Sequence, residues 1–188
     1  MTAPARRPLR VVLTGPECTG KSTLAAHLAR RFGAPAAMEY ARIFLEERGP
    51  DYDFGLLAEM ARGHAAYQRE RVLESEPIGV FDTDLINYKI WCEVVYGRCH
   101  REILEAIDRE ENHVYLLCAA DVPWEPDPLR ENPNDRPALF ELHRREIERL
   151  GREYRVVEGL GEERVRSAER AFRELAGFGE GMQGPEKI

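Results

Sequence analysis

The chain has 188 residues, of which 43% are hydrophobic and 32% charged, with a formal net charge of −7. That length suits one ordinary domain with a buried core and the composition is that of a soluble globular protein. No apolar run approaches the about 20 residues that a membrane-spanning helix needs. The acidic balance disfavours a broad footprint on a phosphate backbone, so neither nucleic acid nor membrane is an expected partner.

Residues 1–10 carry arginines, but the apolar stretch that follows is confined to 9–13 and runs into a glycine loop, too short for a signal peptide. A cytoplasmic protein is expected. The four cysteines, Cys18, Cys92, Cys99 and Cys118, form no CxxC pair and have no ligand spacing with the five histidines, which argues for reduced thiols rather than a disulfide framework or a zinc site. Lysine is scarce, only Lys21, Lys89 and Lys187, and one of the three sits in the glycine loop.

In chain order, residues 1–8 are expected to be flexible, and the apolar, β-branched run 9–13 predicts a buried parallel strand. The loop Gly15-Pro16-Glu17-Cys18-Thr19-Gly20-Lys21-Ser22 follows, then a helix with Leu24, Leu28 and Phe32 on one face, stopped by Gly33. A second strand is expected at 35–39, ending in Glu39, with a helix at 42–47 and a long helix at 54–74 despite Gly63. The run 78–81 predicts a third strand with Asp82-Thr83-Asp84 at its end. Helices at 85–95 and 103–107 lead to a fourth strand at 114–118. Segment 123–137 breaks all periodicity with its prolines and is expected to be a functional loop. A helix at 138–150, a fifth strand at 154–157 and a last helix carrying Val165, Ala168, Phe172 and Leu175 complete the pattern, and 177–188 reads as a frayed tail. Strands alternating with helices imply one α/β domain over 1–176: a five-stranded parallel sheet with helices on both faces.

The octet at 15–22 is the pattern of a phosphate-binding P-loop. Glycines such as Gly15 and Gly20 let backbone N–H groups converge on phosphate oxygens at the positive end of a helix. Lys21 is expected on the outer phosphates, the Ser22 hydroxyl on a magnesium ion, and Thr23 on phosphate, so Pro16, Glu17, Cys18 and Thr19 fall within the nucleotide site too. Chance produces such an octet in on the order of a few per thousand chains, and its position between a predicted strand and helix makes chance rarer still. The loop alone names no acceptor. Cys18 at a helix N-terminus raises a minor question of redox control, although a small side chain there needs no function.

Phosphoryl transfer calls for one carboxylate near the metal and another near the acceptor. Asp82, directly after an apolar strand, fits the metal shell with Ser22. Asp84 either caps the helix at Leu85 or serves the substrate. Glu39 stands beside the loop within reach of an acceptor hydroxyl, where it would also suit the start of a helix.

Together these residues resemble a family, the ribosylnicotinamide kinase domain of NadR-type proteins, a branch of the P-loop kinases among the AAA-like ATPases. The likeness spans most of 10–172 and rests on the loop, on Glu39-Tyr40-Ala41-Arg42, on Asp82-Thr83-Asp84-Leu85, and on Asp121-Val122-Pro123-Trp124 continuing to Leu129-Arg130. It implies transfer of phosphate from ATP, with Mg2+, to the 5′-hydroxyl of nicotinamide riboside, giving nicotinamide mononucleotide for NAD salvage. The 188 residues leave no room for the DNA-binding and adenylyltransferase segments of the full-length regulators, so neither activity is expected.

In such a kinase the loop 123–137 is a lid, with Arg130 and Arg136 closing over the phosphates, and Gly159 borders the adenine. A positively charged pyridinium acceptor suits Trp124 flanked by Asp121, Glu125 and Asp127, with Tyr52, Tyr88 and Trp91 as alternative ring contacts or core. Two other functions stay open: a kinase of another nucleoside or small hydroxyl acceptor, and a nucleotide-dependent switch or ATPase acting on a partner protein.

Overall fold

The computed structural model describes residues 8–130 and 134–178. Residues 1–7 of the expected flexible start, 131–133 of the expected lid and 179–188 of the expected tail lie outside the described residues. Five strands, β1 (Leu9–Thr14), β2 (Ala36–Ala37), β3 (Ile78–Asp82), β4 (His113–Cys118) and β5 (Tyr154–Val157), form one sheet in the order β2-β3-β1-β4-β5, with every pairing parallel. Parallel strands require crossovers, and helices supply them; the described residues contain α1 (Lys21–Phe32), α2 (Tyr40–Arg48), α3 (Phe54–Arg71), α4 (Leu85–Tyr96), α5 (Arg101–Arg109), α6 (Arg136–Arg149) and α7 (Gly161–Ala176).

The strands read as continuous apolar runs because both faces of the sheet are covered. Val11, Leu13, Val80 and Leu116 pack with α1 and α7, where Phe32 stacks on Phe172 with ring centroids 4.4 Å apart. Their alternates Val12, Phe81, Tyr115 and Leu117 face the larger layer of α2 to α6. In register, Leu13 lies opposite Asp82 of β3 and Leu116 of β4. The carboxyl ends of the three central strands therefore reach the same edge, where open parallel sheets bind ligands.

Element boundaries moved where a local group had a better use. β2 is two residues rather than five, because Pro35 has no N–H for a ladder and Glu39 already turns into α2. Val72 leaves helical geometry (φ −126°, ψ 101°) to bury its side chain, ending α3 at Arg71 rather than 74. α6 starts at Arg136, with proline accommodated in its first turn, so the expected loop 123–137 is shorter at its far end. Gly177 caps α7 in the left-handed region and Phe178 packs on Phe32 and Phe172, so the expected frayed tail is ordered at its start.

Gly63, a poor residue for the middle of a helix, is explained by Tyr40. A β-carbon there would collide with the Tyr40 ring, whose residue begins α2 directly after Glu39. An exposed Gly→Ala change inside a helix normally stabilises by about 1 kcal/mol. Gly63→Ala is expected instead to destabilise by about 1–3 kcal/mol in urea unfolding, the usual cost of overpacking.

Candidate active site

The loop after β1 owes its shape to close backbone approach. Gly15 has φ +124°, and a β-carbon on it would lie 2.7 Å from the Cys118 carbonyl oxygen at the end of β4. No other residue fits there. Gly20, at φ +77°, precedes α1 without a side chain to cap it, so the first N–H groups of the helix point into the loop. The Lys21 ammonium donates to the carbonyls of Gly15 (3.0 Å) and Pro16 (2.7 Å), and the Thr19 hydroxyl donates to Pro16 (2.9 Å). The lysine is thus folded back over the loop it belongs to.

Beneath the loop lies Asp82. It is fully buried and neither carboxylate oxygen has a hydrogen-bond partner. Burial first, then the charge of Glu39, raises its pKa to about 6, while nearby Ser22 and Lys21 pull the other way. Glu39 occupies the N-cap position of α2 yet makes no side-chain cap, and it lines a cleft of about 250 Å³ that also contains the loop. Gly15, Glu17, Cys18, Thr19, Gly20, Lys21, Ser22, Thr23 and Arg130 line the same cleft. Its far wall comes from α4, with Asn87, Ile90 and Trp91; the Trp91 ring stands edge-on to Tyr52 at 4.9 Å.

Four of the expected substrate residues are occupied elsewhere. Asp84 is fully buried: it caps α4 through the Ile86 N–H (3.1 Å), accepts from the Tyr115 hydroxyl (2.6 Å) and faces His113. Of its two open readings, the cap is the one present. Asp121 accepts from the Gly159 N–H (2.7 Å) and from Arg164 (2.6 Å), shaping the turn after β5. Asp127 pairs with Arg42 at 3.0 Å and caps its own turn through the Leu129 N–H. Trp124 does not line the cleft; the Arg136 guanidinium covers its ring at 5.7 Å. Tyr88 is core.

The described part of the 123–137 segment rests on the phosphate loop through Cys18. The Glu125 N–H and the Arg130 guanidinium donate to its sulfur at 3.2 and 3.3 Å, Arg130 also donates to the Glu125 carbonyl, and Arg136 donates to the carbonyls of Cys18 (3.2 Å) and Val122 (2.7 Å).

Two residues at the site have no signal in the sequence. Arg164 of α7 is one arginine among many, yet its buried guanidinium donates to the carbonyls of Thr19, Ala119 and Gly159 as well as to Asp121, joining three loops of the nucleotide side. His143 of α6 is buried against the cleft and shares a 2.9 Å hydrogen bond with the Thr14 hydroxyl. Burial, then the charge of Lys21, lowers its pKa to about 3, so the imidazole is neutral at physiological pH.

A family model described as an AAA domain matches residues 10–164, most of the chain. The chain belongs to that family. This AAA domain is 32% identical over 129 residues to the trifunctional NAD biosynthesis/regulator protein NadR of Escherichia coli (strain K12), an alignment covering 64% of the chain and 30% of the relative, and equally to NadR of Salmonella typhimurium. It spans about a third of the length of the curated relatives it matches. Among solved structures, a NadR protein in complex with NR superposes with a TM-score of 0.69 at 20% identity, covering 96% of this chain and 53% of that one. A NadR complex with NAD and AMP-PNP gives 0.66 at 22%, covering 96% and 51%. The fold is that of these NadR structures, with a phosphate-loop motif after the first strand. No helix among the described residues is long and apolar enough to cross a membrane.

The raised pKa of Asp82 makes this AAA domain less stable as pH rises. Between its ordinary value near 3.8 and about 6, the folded state binds the proton that the unfolded state has lost. Stability is therefore withdrawn across that window and stays withdrawn above it, by on the order of 1–3 kcal/mol. Asp82→Asn removes the term. Its melting temperature without added metal is expected to exceed the parent's at pH 8, with the gap closing toward pH 4.

Proposed function

We propose that this P-loop kinase transfers the γ-phosphate of ATP to the 5′-hydroxyl of nicotinamide riboside, producing nicotinamide mononucleotide. The observation that carries the proposal is that an uncapped carboxylate, Glu39, and an aromatic face, Trp91, share one cleft with the phosphate loop. A pyridinium cation is attracted to an aromatic face by about 0.5–2 kcal/mol and needs a negative environment. The cleft offers both. The NadR relatives are named for NAD biosynthesis, one solved neighbour holds NR, and another holds AMP-PNP, all of which support this acceptor and an adenine nucleotide donor.

Asp82 supports a divalent cation beside the phosphates: its two buried oxygens lack partners and lie close to Ser22. Ser22 and Asp82 would hold magnesium, which neutralises phosphate charge when bound. The loop N–H groups and Lys21 grip the phosphates, and Arg130 adds positive charge from the other side as the transferred group becomes exposed. Glu39 faces the acceptor hydroxyl and takes its proton. Segment 123–137 acts as the lid, and Arg164 with Asp121 and Gly159 shapes the adenine side.

The reaction test is incubation with magnesium-ATP and a panel of nucleosides, read by mass for an added phosphate. Nicotinamide riboside should be the best acceptor; ATP hydrolysis with no phosphorylated product from any acceptor would overturn kinase function. Lys21→Ala and Glu39→Gln are each expected to lower kcat by about 10²-fold or more. Trp91→Ala should raise the acceptor KM about tenfold and leave the ATP KM unchanged, whereas Trp124→Ala should have the smaller effect on the acceptor. A larger acceptor effect from Trp124 would move the ring site to the lid.

A further inference from the structure

A second group of ligand-type side chains lies on the sheet face covered by α2 to α6. Asp84 stands at the start of α4, Glu110 directly follows α5 and His113 opens β4. Asn112, left-handed at φ 59°, turns the chain between Glu110 and His113. One carboxylate oxygen of Asp84, one of Glu110 and the His113 Nδ1 all lie within 4.8 Å of one another. Asp84 is fully buried and the His113 side chain is 2% exposed. Glu110 and His113 line a cleft of about 560 Å³ that shares no residue with the phosphate-loop cleft.

The imidazole is the group in need of an explanation. His113 Nδ1 lies 3.3 Å from Glu110 Oε2 and 3.6 Å from Asp84 Oδ2, yet it has no partner in good hydrogen-bonding geometry. A buried ring nitrogen left in that state is costly. Both separations suit chelation: two ligand atoms each about 2.1 Å from a tetrahedral ion are about 3.4 Å apart, and each lies well off the other's lone-pair direction. Oxygens placed for a shared ion are therefore close to the nitrogen and poorly placed to accept from it. The carboxylates are held from behind, as metal ligands are. The Tyr115 hydroxyl donates to Asp84 Oδ2 at 2.6 Å, and Arg152 donates to Glu110 Oε2 at 3.3 Å and to the Tyr115 hydroxyl at 2.5 Å. A proton is the ion's competitor, because against the effect of burial the Glu110 and Asp84 carboxylates raise the His113 pKa.

We propose that Asp84, Glu110 and His113 form a binding site for zinc or a similar borderline divalent cation, with water from the adjoining cleft completing the coordination. An imidazole with two carboxylates is a donor set for zinc rather than magnesium, which prefers oxygen alone. The ion displaces any proton on His113 Nδ1 to solvent. It ties the start of α4 to the corner between α5 and β4. The assignment does not depend on the proposed acceptor or reaction.

The experiment strips the full chain with a chelator, titrates it with zinc chloride in excess magnesium and counts bound metal by elemental analysis. One zinc per chain is expected, and the melting temperature should rise by about 5–10 °C at about 100 Kd of free zinc. His113→Gln and Glu110→Gln should each weaken binding by about tenfold or more, and Tyr115→Phe, which removes only the donor to Asp84, by about tenfold. Asp82→Asn should bind zinc as the parent does. Cobalt(II) in place of zinc should give a visible absorption band in the parent that His113→Gln loses. Absence of stoichiometric zinc overturns the proposal and leaves His113 as a protonated partner of the two carboxylates. Zinc binding that survives both His113→Gln and Glu110→Gln also overturns it, as does binding lost in Asp82→Asn, which would put the ion beside the phosphate loop. Should His113→Gln fail to fold, Glu110→Gln, at the least buried of the three positions, decides the outcome.

Discussion

The site depends on one close approach, the Gly15 backbone against the carbonyl of Cys118. A side chain at position 15 has nowhere to go. Because β1 lies between β3 and β4, that contact sets the height of the phosphate loop above the sheet edge, and with it the distance from Lys21 and Ser22 to whatever stands at the end of β3. Sheet register does the rest by bringing Asp82 level with Leu13.

Two buried charges beside this loop are treated in opposite ways. Arg164 has its donors satisfied by three carbonyls and a carboxylate, an arrangement that compensates the desolvation of a guanidinium and rigidifies the loops it joins. Asp82 has no partner in good hydrogen-bonding geometry, and burial with the charge of Glu39 raises its pKa to about 6 although Ser22, Lys21 and the Glu39 backbone act the other way. One buried charge is satisfied by the fold, and the other is left beside the loop with burial opposing its ionisation.

The sequence made the central strands legible because β1 and β3 are short apolar runs that end at Gly15 and Asp82 and β4 is a buried apolar run, and the phosphate loop legible because its pattern lies in consecutive residues. Asp82 stands at the end of β3 as its apolar run predicts, whereas Glu39, expected to end the second strand, is the residue that opens α2. What could not be read was which side of the cleft each aromatic occupies. Trp91 and Trp124 both sit near carboxylates in sequence, but the α4 face that carries Trp91 turns toward the loop while Arg136 covers Trp124. For Asp84 the sequence offers a cap or a site residue; the structure shows the cap, and its other partners, Tyr115 and His113, lie about thirty positions away where no local pattern connects them to it. Arg164 and His143 carry no local signal for the same reason: each lies on a helix whose exposed faces are also rich in charge, and its partners are on distant strands and loops.

Glu39 and Arg42 lie within one turn at the start of α2, and Arg42 reaches across to Asp127 in the segment that rests on Cys18. The ion pair is partly exposed and worth at most about 1 kcal/mol. Its importance is geometric rather than energetic: it joins the start of α2, which carries Glu39, to the segment that rests on Cys18. One wall of the cleft is thereby tied to the stretch that brings Leu129 and Arg130 to another.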